Sequence, residues 1–278
     1  MNGILVCVQL LFVIGFNQVN ASTITDSDGN PSTRIVGGTA INDGTFPFVC
    51  SVYQHVLSGA WIWARVYLCD STIVNDNWLL TSAHCVSGKD AAGLLVICGV
   101  RQTRSVGRID FNPDYIVSRK GNDLALVLLR TALVFTTNVQ PIPIFDQPIS
   151  PFSTVTIVGY GSSNHGYEKW QTYGLQAIIV PILSTEACIQ RLGHSAIYLT
   201  SDIVCTDRGL SSDGACLGDS SSPVFIATEL YSFNLLGISA WTTTPCGSGP
   251  SMHTLISAHI GWILTVISPN LTTTRNNK

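Results

Sequence analysis

Ser220 lies in the run Cys216-Leu217-Gly218-Asp219-Ser220-Ser221-Ser222-Pro223, between an acid and small residues and close to a cysteine. A serine hydroxyl is nearly inert at neutral pH unless a neighbouring base takes its proton as it attacks. His84, in Thr81-Ser82-Ala83-His84-Cys85, suits that task, because an ordinary imidazole titrates near about 6.5 and can accept and return a proton. Asp123, in Asn122-Asp123-Leu124-Ala125-Leu126, would hold the imidazole tautomer and stabilise the imidazolium. Gly218 before the acid leaves room for a substrate backbone and lets main-chain N–H groups face a developing oxyanion. Taken singly, each has a duller reading: a core histidine, an acid capping a turn, a serine in a Gly-Asp-Ser turn. The combination is what counts.

A fourth motif, Arg34 followed by Ile35-Val36-Gly37-Gly38, completes the set. In this order and spacing the four resemble the trypsin/chymotrypsin family of serine endopeptidases, from Ile35 to about Ile263. The resemblance implies that His84, Asp123 and Ser220 are general base, orienting acid and nucleophile, with an oxyanion hole made by the N–H groups of Gly218 and Ser220. It also implies a zymogen. Cleavage after Arg34 would free the Ile35 amine, which would fold inward and pair with Asp219.

The chain departs from the family's usual letters beside these motifs. Ser221 and Ser222 stand where glycines follow the nucleophile, and their side chains could crowd substrate or shift the loop. Asp70-Ser71 stands where Gly-Gly follows the cysteine, which places an extra carboxylate near the cleft. Ala240 replaces a serine that supports the catalytic acid, a loss worth about 1 kcal/mol. Family spacing puts Gly214 at the floor of the specificity pocket, with Asp213 one position away. An uncharged floor would leave Lys or Arg without a counter-charge. Thr242 and Ser251, in place of glycines, would narrow the walls, so cleavage is expected after uncharged, small to medium side chains.

The elements that must position these residues read as short strands broken by Gly, Pro, Asn and Asp. They are Val49–Tyr53, Trp61–Leu68, Trp78–Thr81, Leu94–Ile97, Leu124–Leu129, Val155–Val158, Gln176–Val180, Val224–Ala227 and Leu235–Ala240. Strands this frequent argue an all-β sandwich or barrel. The resemblance implies two six-stranded antiparallel β-barrels, at about 35–149 and 150–268, with the site between them. Only His253–Ile267 has helical spacing, and it resembles the family's C-terminal helix docked on a barrel.

Residues 1–21 read as a signal peptide: an apolar core from Ile4 to Phe16, then small residues at Val19-Asn20-Ala21. Residues 22–34 are polar and suit a propeptide, leaving 35–278 as the protease domain. Nine cysteines fit an oxidising, extracellular compartment, eight of them beyond Cys7 in the leader. By resemblance Cys69 pairs with Cys85, Cys188 with Cys205 and Cys216 with Cys246. Cys50 and Cys98 remain, as a fourth bridge between neighbouring strands or as two buried thiols. No tight C-x-x-C pair points to a metal, and neither metal nor cofactor is expected.

Charged residues make up 11% and hydrophobic ones 46%, with 14 Lys+Arg against 17 Asp+Glu. That balance favours a core-rich fold and speaks against nucleic-acid or anionic-membrane partners. The expected partners are protein or peptide substrates, an activating protease and protein protease inhibitors. The remaining histidines (His55, His165, His194, His253, His259) carry no motif and read as structural or surface residues. Few Lys and Arg, with an uncharged pocket, fit a digestive protease of insect-gut type, which this chain resembles loosely. The competing reading is a catalytically impaired homologue that uses the fold to bind a partner; the departures around the cleft favour it and the complete motif set opposes it.

Overall fold

The computed structural model describes residues 38–58, 62–99, 102–161, 174–209, 215, 219–229, 232–244 and 248–268. A short first strand, β1 (Thr39–Ile41), precedes β2 (Val49–Ser58), β3 (Ile62–Ile73), β4 (Trp78–Thr81), β5 (Leu94–Cys98), β6 (Gln102–Phe111) and β7 (Ala125–Leu129). Strands β2 to β7 close into an antiparallel barrel in the order β2-β3-β4-β7-β6-β5. The barrel shuts because β2 pairs with β3 on one side and with β5 on the other. Cys50 lies opposite Cys98 in that last pairing, and the two form a disulfide. The bridge, not the pair of thiols, is what the structure holds.

The second sheet is built from β8 (Thr154–Gly159), β9 (Leu175–Pro181), β10 (Ile203–Thr206), β11 (Pro223–Glu229), β12 (Ser232–Thr242) and β13 (Ser251–Leu255). Its order is β1-β9-β8-β11-β12-β13-β10, so it gains a seventh strand from the start of the domain. An antiparallel bridge between Ile182 and Thr206, with Leu183 N–H donating to the Cys205 carbonyl, brings β10 back to the end of β9. That single bridge draws the far strand of the sheet toward β9, whose outer edge carries β1.

Burial follows the letters. Val52, Ile73, Leu79, Val96, Val106 and Val127 fill the first barrel, and Val155, Ile157, Val180, Val224 and Leu236 fill the second. A third cluster draws from both: Phe48, Trp78, Leu80 and Leu126 meet Leu175, Phe225, Leu235 and Ile238. The Phe48 and Phe225 rings meet edge-on at 5.1 Å. Burying each such side chain contributes about 1.5–3 kcal/mol, so this shared core fixes one barrel against the other.

Three α-helices and three short 3-10 helices lie among the described residues, the former being α1 (Ala83–Val86), α2 (Thr185–Leu192) and α3 (Ile260–Ile267). The helix expected over His253–Ile267 starts later than its periodicity suggests. His253, Thr254 and Leu255 belong to β13, where His253 pairs with Val204 on one side and Ser239 on the other. Sheet pairing on both edges outweighs the local spacing. The helix proper buries Ile263 against the shared core. Helix α2 was not legible as a helix, although its ends obey the rules: Ser184 Oγ caps the Ala187 N–H, and Gly193 closes it with φ 55°. Among the described residues, no helix is long and apolar enough to cross a membrane.

Candidate active site

Each candidate side chain sits at the end of a strand. His84 is carried on α1, one turn beyond β4, and the Cys69–Cys85 disulfide staples that turn to β3. Asp123 stands just ahead of β7, and Ser220 in the turn that leads into β11. Main-chain bonds from the loops to the strands hold each in place, Asn112 N–H to the Leu124 carbonyl and Ser221 N–H to the Ser239 carbonyl among them.

The structure brings His84 and Asp123 together on two contacts. Asp123 Oδ2 lies 2.6 Å from His84 Nδ1, and Oδ1 accepts the His84 main-chain N–H at 2.9 Å. The carboxylate is almost fully buried, and the imidazole is 41% exposed. A buried carboxylate on Nδ1 holds the proton there and turns Nε2 outward as the acceptor. Nε2 lies 3.5 Å from Cys85 Sγ, and among the described residues no hydrogen bond joins it to the Ser220 hydroxyl. Such bonds are often long in unliganded enzymes and tighten with substrate.

The departures noted in the sequence do not face the cleft. Ser221, Ser222 and Asp70 are all fully buried beneath the Ser220 turn. Ser221 Oγ accepts the Ser82 N–H and lies 3.0 Å from Thr81 Oγ1, so it ties the Ser220 turn to the turn that carries His84. Ser222 donates to Asp70 Oδ2 at 2.7 Å, Tyr67 donates to Oδ1 at 2.9 Å, and the Tyr160 N–H donates to Oδ2 at 3.1 Å. Asp70 N–H in turn donates to the Ser220 carbonyl at 3.1 Å. The extra carboxylate is thus a buried partner of the extra hydroxyl. Burial drives its titration up to about 7, against the lowering pull of Ser222, Tyr67 and Tyr160. Space here is tight: a Cβ on Gly159 would collide with Ser222 Oγ and Asp70 Oδ2, and one on Gly161 with the Asp219 carboxylate.

A second buried acid, missed in the sequence, stands behind Asp123. Asp202 Oδ2 accepts the Asn122 N–H at 2.8 Å and lies 3.2 Å from His259 Nε2, while Oδ1 accepts the Thr200 hydroxyl at 2.5 Å. His259 Nδ1 meets Asn112 Nδ2 at 3.0 Å. Asn122, the residue before Asp123, adopts φ 56°, a left-handed conformation that Asn tolerates better than most residues. A hint existed in Asn122 itself. Nothing in the letters joined it to Asp202, 80 positions away.

Of the expected pocket, Thr242 and Ser251 are described, and their hydroxyl oxygens lie 3.3 Å apart across β12 and β13. Ala240 is buried and brings no hydroxyl to Asp123. Arg34, Ile35, Gly214, Gly218, and the expected Cys216–Cys246 bridge lie outside the described residues; Cys188–Cys205 is formed. His84, Cys69 and Cys85 match a metal-ligand set in residue type and closeness, but both sulfurs are spent in a disulfide and make poor ligands.

The model of the family described as Trypsin matches residues 35–263. The chain is similar to Trypsin-1 of Astacus astacus, 28% identical over 82% of this chain and 98% of that one. It is also similar to Serine protease 28 of Mus musculus, 26% identical over 82% and 87% of the two chains. Trypsin of Phaedon cochleariae is 25% identical over 87% and 92%.

Proposed function

Because the chain belongs to the trypsin family of serine endopeptidases, we propose that His84, Asp123 and Ser220 are its general base, orienting acid and nucleophile. The observation that carries this reading is the double contact from Asp123 to His84, which leaves Nε2 as the free basic nitrogen. In the proposed cycle Ser220 Oγ attacks the peptide carbonyl while Nε2 takes its proton. The N–H groups of Gly218 and Ser220 hold the oxyanion, and Nε2 returns the proton to the leaving amine. Water then repeats the sequence on the acyl-enzyme.

The chain is made as a secreted zymogen in this reading. The cut after Arg34 frees the Ile35 amine, and Asp219, 1% exposed and packed against Gly161, is its counter-charge. Cleavage follows uncharged, small to medium side chains, because the Thr242 and Ser251 hydroxyls approach each other across the pocket wall and Gly214 brings no charge. Digestion of dietary protein is the proposed role, with an activating protease and protein inhibitors as partners.

The test is a fluorophosphonate label before and after cleavage at Arg34. Stoichiometric labelling of Ser220 in the cut protein, lost in Ser220→Ala, supports the reading; an unlabelled cut protein overturns it. Peptide-library profiling of the cut, label-competent protein tests the pocket, and a preference for Arg or Lys would exclude the uncharged floor.

A further inference from the structure

Asp70 joins three parts of the molecule. It lies on β3 of the first barrel, its carboxylate takes the Tyr160 N–H just beyond β8 of the second, and it holds the Ser220 turn twice. One hold is the Ser222 hydroxyl on Oδ2; the other is the Asp70 N–H on the Ser220 carbonyl. We propose that Asp70 is a positioning residue for the nucleophile, and that its ionised carboxylate, through Ser222, locks the turn that aims Ser220 at His84. This rests on Ser220 being the nucleophile.

The chemistry makes ionisation matter. As a carboxylate, Asp70 only accepts, and its two oxygens are matched to three donors: the Tyr67 hydroxyl, the Ser222 hydroxyl and the Tyr160 N–H. Once protonated, the group must itself donate, so one hydroxyl has to reverse from donor to acceptor and give its own proton to another partner. Tyr67 is fixed by its ring on β3, in edge contact with Tyr53 at 5.7 Å. The smaller rotor is Ser222, two residues after the nucleophile. The titratable groups facing the site are Tyr67 on β3, Tyr53 on β2, Tyr160 after β8 with Asp43 beyond it, and Asp219 in the Ser220 turn. In the cut protein the proposed Ile35 ammonium on Asp219 adds a positive charge beside this cluster and draws Asp70 toward its charged, locking form. Without that charge, burial drives its titration up to about 7.

The experiment uses the processed protein, with active sites counted by fluorophosphonate titration so that kcat refers to folded, competent enzyme. Asp70→Asn keeps the shape and removes the charge. At pH 8 its kcat should fall about tenfold, with KM within about twofold of wild type. The acid limb of the kcat profile should become less steep in the variant. Ser222→Ala keeps the acid and removes the lock. It should lower kcat by a similar factor, and the double variant should be no worse than the poorer single one, as expected for two members of one contact. Asp70→Asn with unchanged kcat and slope overturns the proposal, as do strictly additive effects. If Asp70→Asn does not fold, Ser222→Ala alone decides: normal kcat per active site excludes the lock. A wild-type protein that takes no label brings down the nucleophile assignment and this inference together; a labelled wild type with indifferent variants brings down only the inference.

Discussion

Asp70 and Asp202 are two buried aspartates that brace two neighbouring loops, and they titrate at opposite ends of the scale. Asp70 sits beneath Ser220 and Asp202 behind Asp123; each takes three hydrogen-bond donors, and neither is more than 5% exposed. Burial pushes both upward. At Asp70 two hydroxyls and one N–H do not offset that push, and it titrates at about 7. At Asp202 the His259 bond foremost, then Thr200 and the Asn122 N–H, outweigh desolvation and hold it at about 2. The number of donors is alike, but Asp70 lies deeper. The donors differ too: Asp202 has an imidazole nitrogen where Asp70 has a second hydroxyl. The brace behind Asp123 is therefore constant at physiological pH, and the brace beneath Ser220 is the one that pH can change.

The strongest way to break this contrast is Asp202→Ala. It strands the His259 imidazole, the Thr200 hydroxyl and the Asn122 N–H in a buried site. Leaving buried polar groups without their partner costs about 1–3 kcal/mol for each, read by denaturant unfolding at pH 7. The pH dependence has a definite sign. The folded carboxyl at about 2 lies below the unfolded value near about 3.9, so its contribution is full above that value and is lost as pH falls through 2. Asp202→Asn should lose that acid-side fall. A wild-type-like acid transition in the variant would show that Asp202 is not the charged brace.

Asp70→Asn tests the other arm through stability alone. Here the folded carboxyl at about 7 lies above the unfolded value, so the fold binds the proton more tightly. The associated stability is full below about pH 4 and is lost as pH rises to 7. Between pH 5 and pH 8 the wild type should lose on the order of 2–3 kcal/mol more than the Asn variant, seen as a larger shift in urea midpoint. Equal slopes would mean that Asp70 does not titrate in that window. The ionised form that aims Ser220 is then also the less stable form of the fold, a trade commonly met at working sites.

His253 sharpens the same rule with an opposite charge type. It is fully buried, with Nε2 2.8 Å from Thr206 Oγ1 and Nδ1 3.2 Å from Ser239 Oγ. Burial among hydroxyls, with no carboxylate partner, lowers its titration to about 3. The unfolded chain takes a proton near about 6.5 that the fold refuses, so stability falls as pH drops from 6.5 toward 3. His253→Phe should remove this loss while costing about 1–2 kcal/mol at pH 8 for two hydroxyls left without their partner. If the variant's stability still falls by the wild-type amount between pH 6.5 and pH 5, the histidine is not its source.

The fold and the His84–Asp123 pair were legible because their signals are local. The β4 and β7 strands are nearly unbroken apolar runs, and each candidate sits inside a short motif beside one. Strand β6 escaped because Arg104, Arg108 and Asp110 break its apolar pattern; Val106 is its one fully buried residue, and pairing with β5 and β7 holds the rest. The braces were illegible for a related reason. Asp70 looked like an added charge near the cleft because no rule of spacing links it to Ser222, 152 positions on. Only the packing of one barrel against the other shows that the two departures answer each other.

Ser221 offers the smallest and most discriminating effect. It holds φ 68°, where a side chain is strained by about 1–2 kcal/mol and glycine is not, yet its Oγ takes the Ser82 N–H. Ser221→Gly relieves the strain, loses that acceptor and loosens the unfolded chain, so it should lie within about 1 kcal/mol of wild type. Ser221→Ala keeps the strain and loses the acceptor, and should be about 0.5–1 kcal/mol less stable than the glycine variant. The order of the two urea midpoints is the measurement. Alanine equal to or above glycine would mean that the backbone there is not strained, and that the hydroxyl alone joins the Ser220 turn to the turn bearing His84.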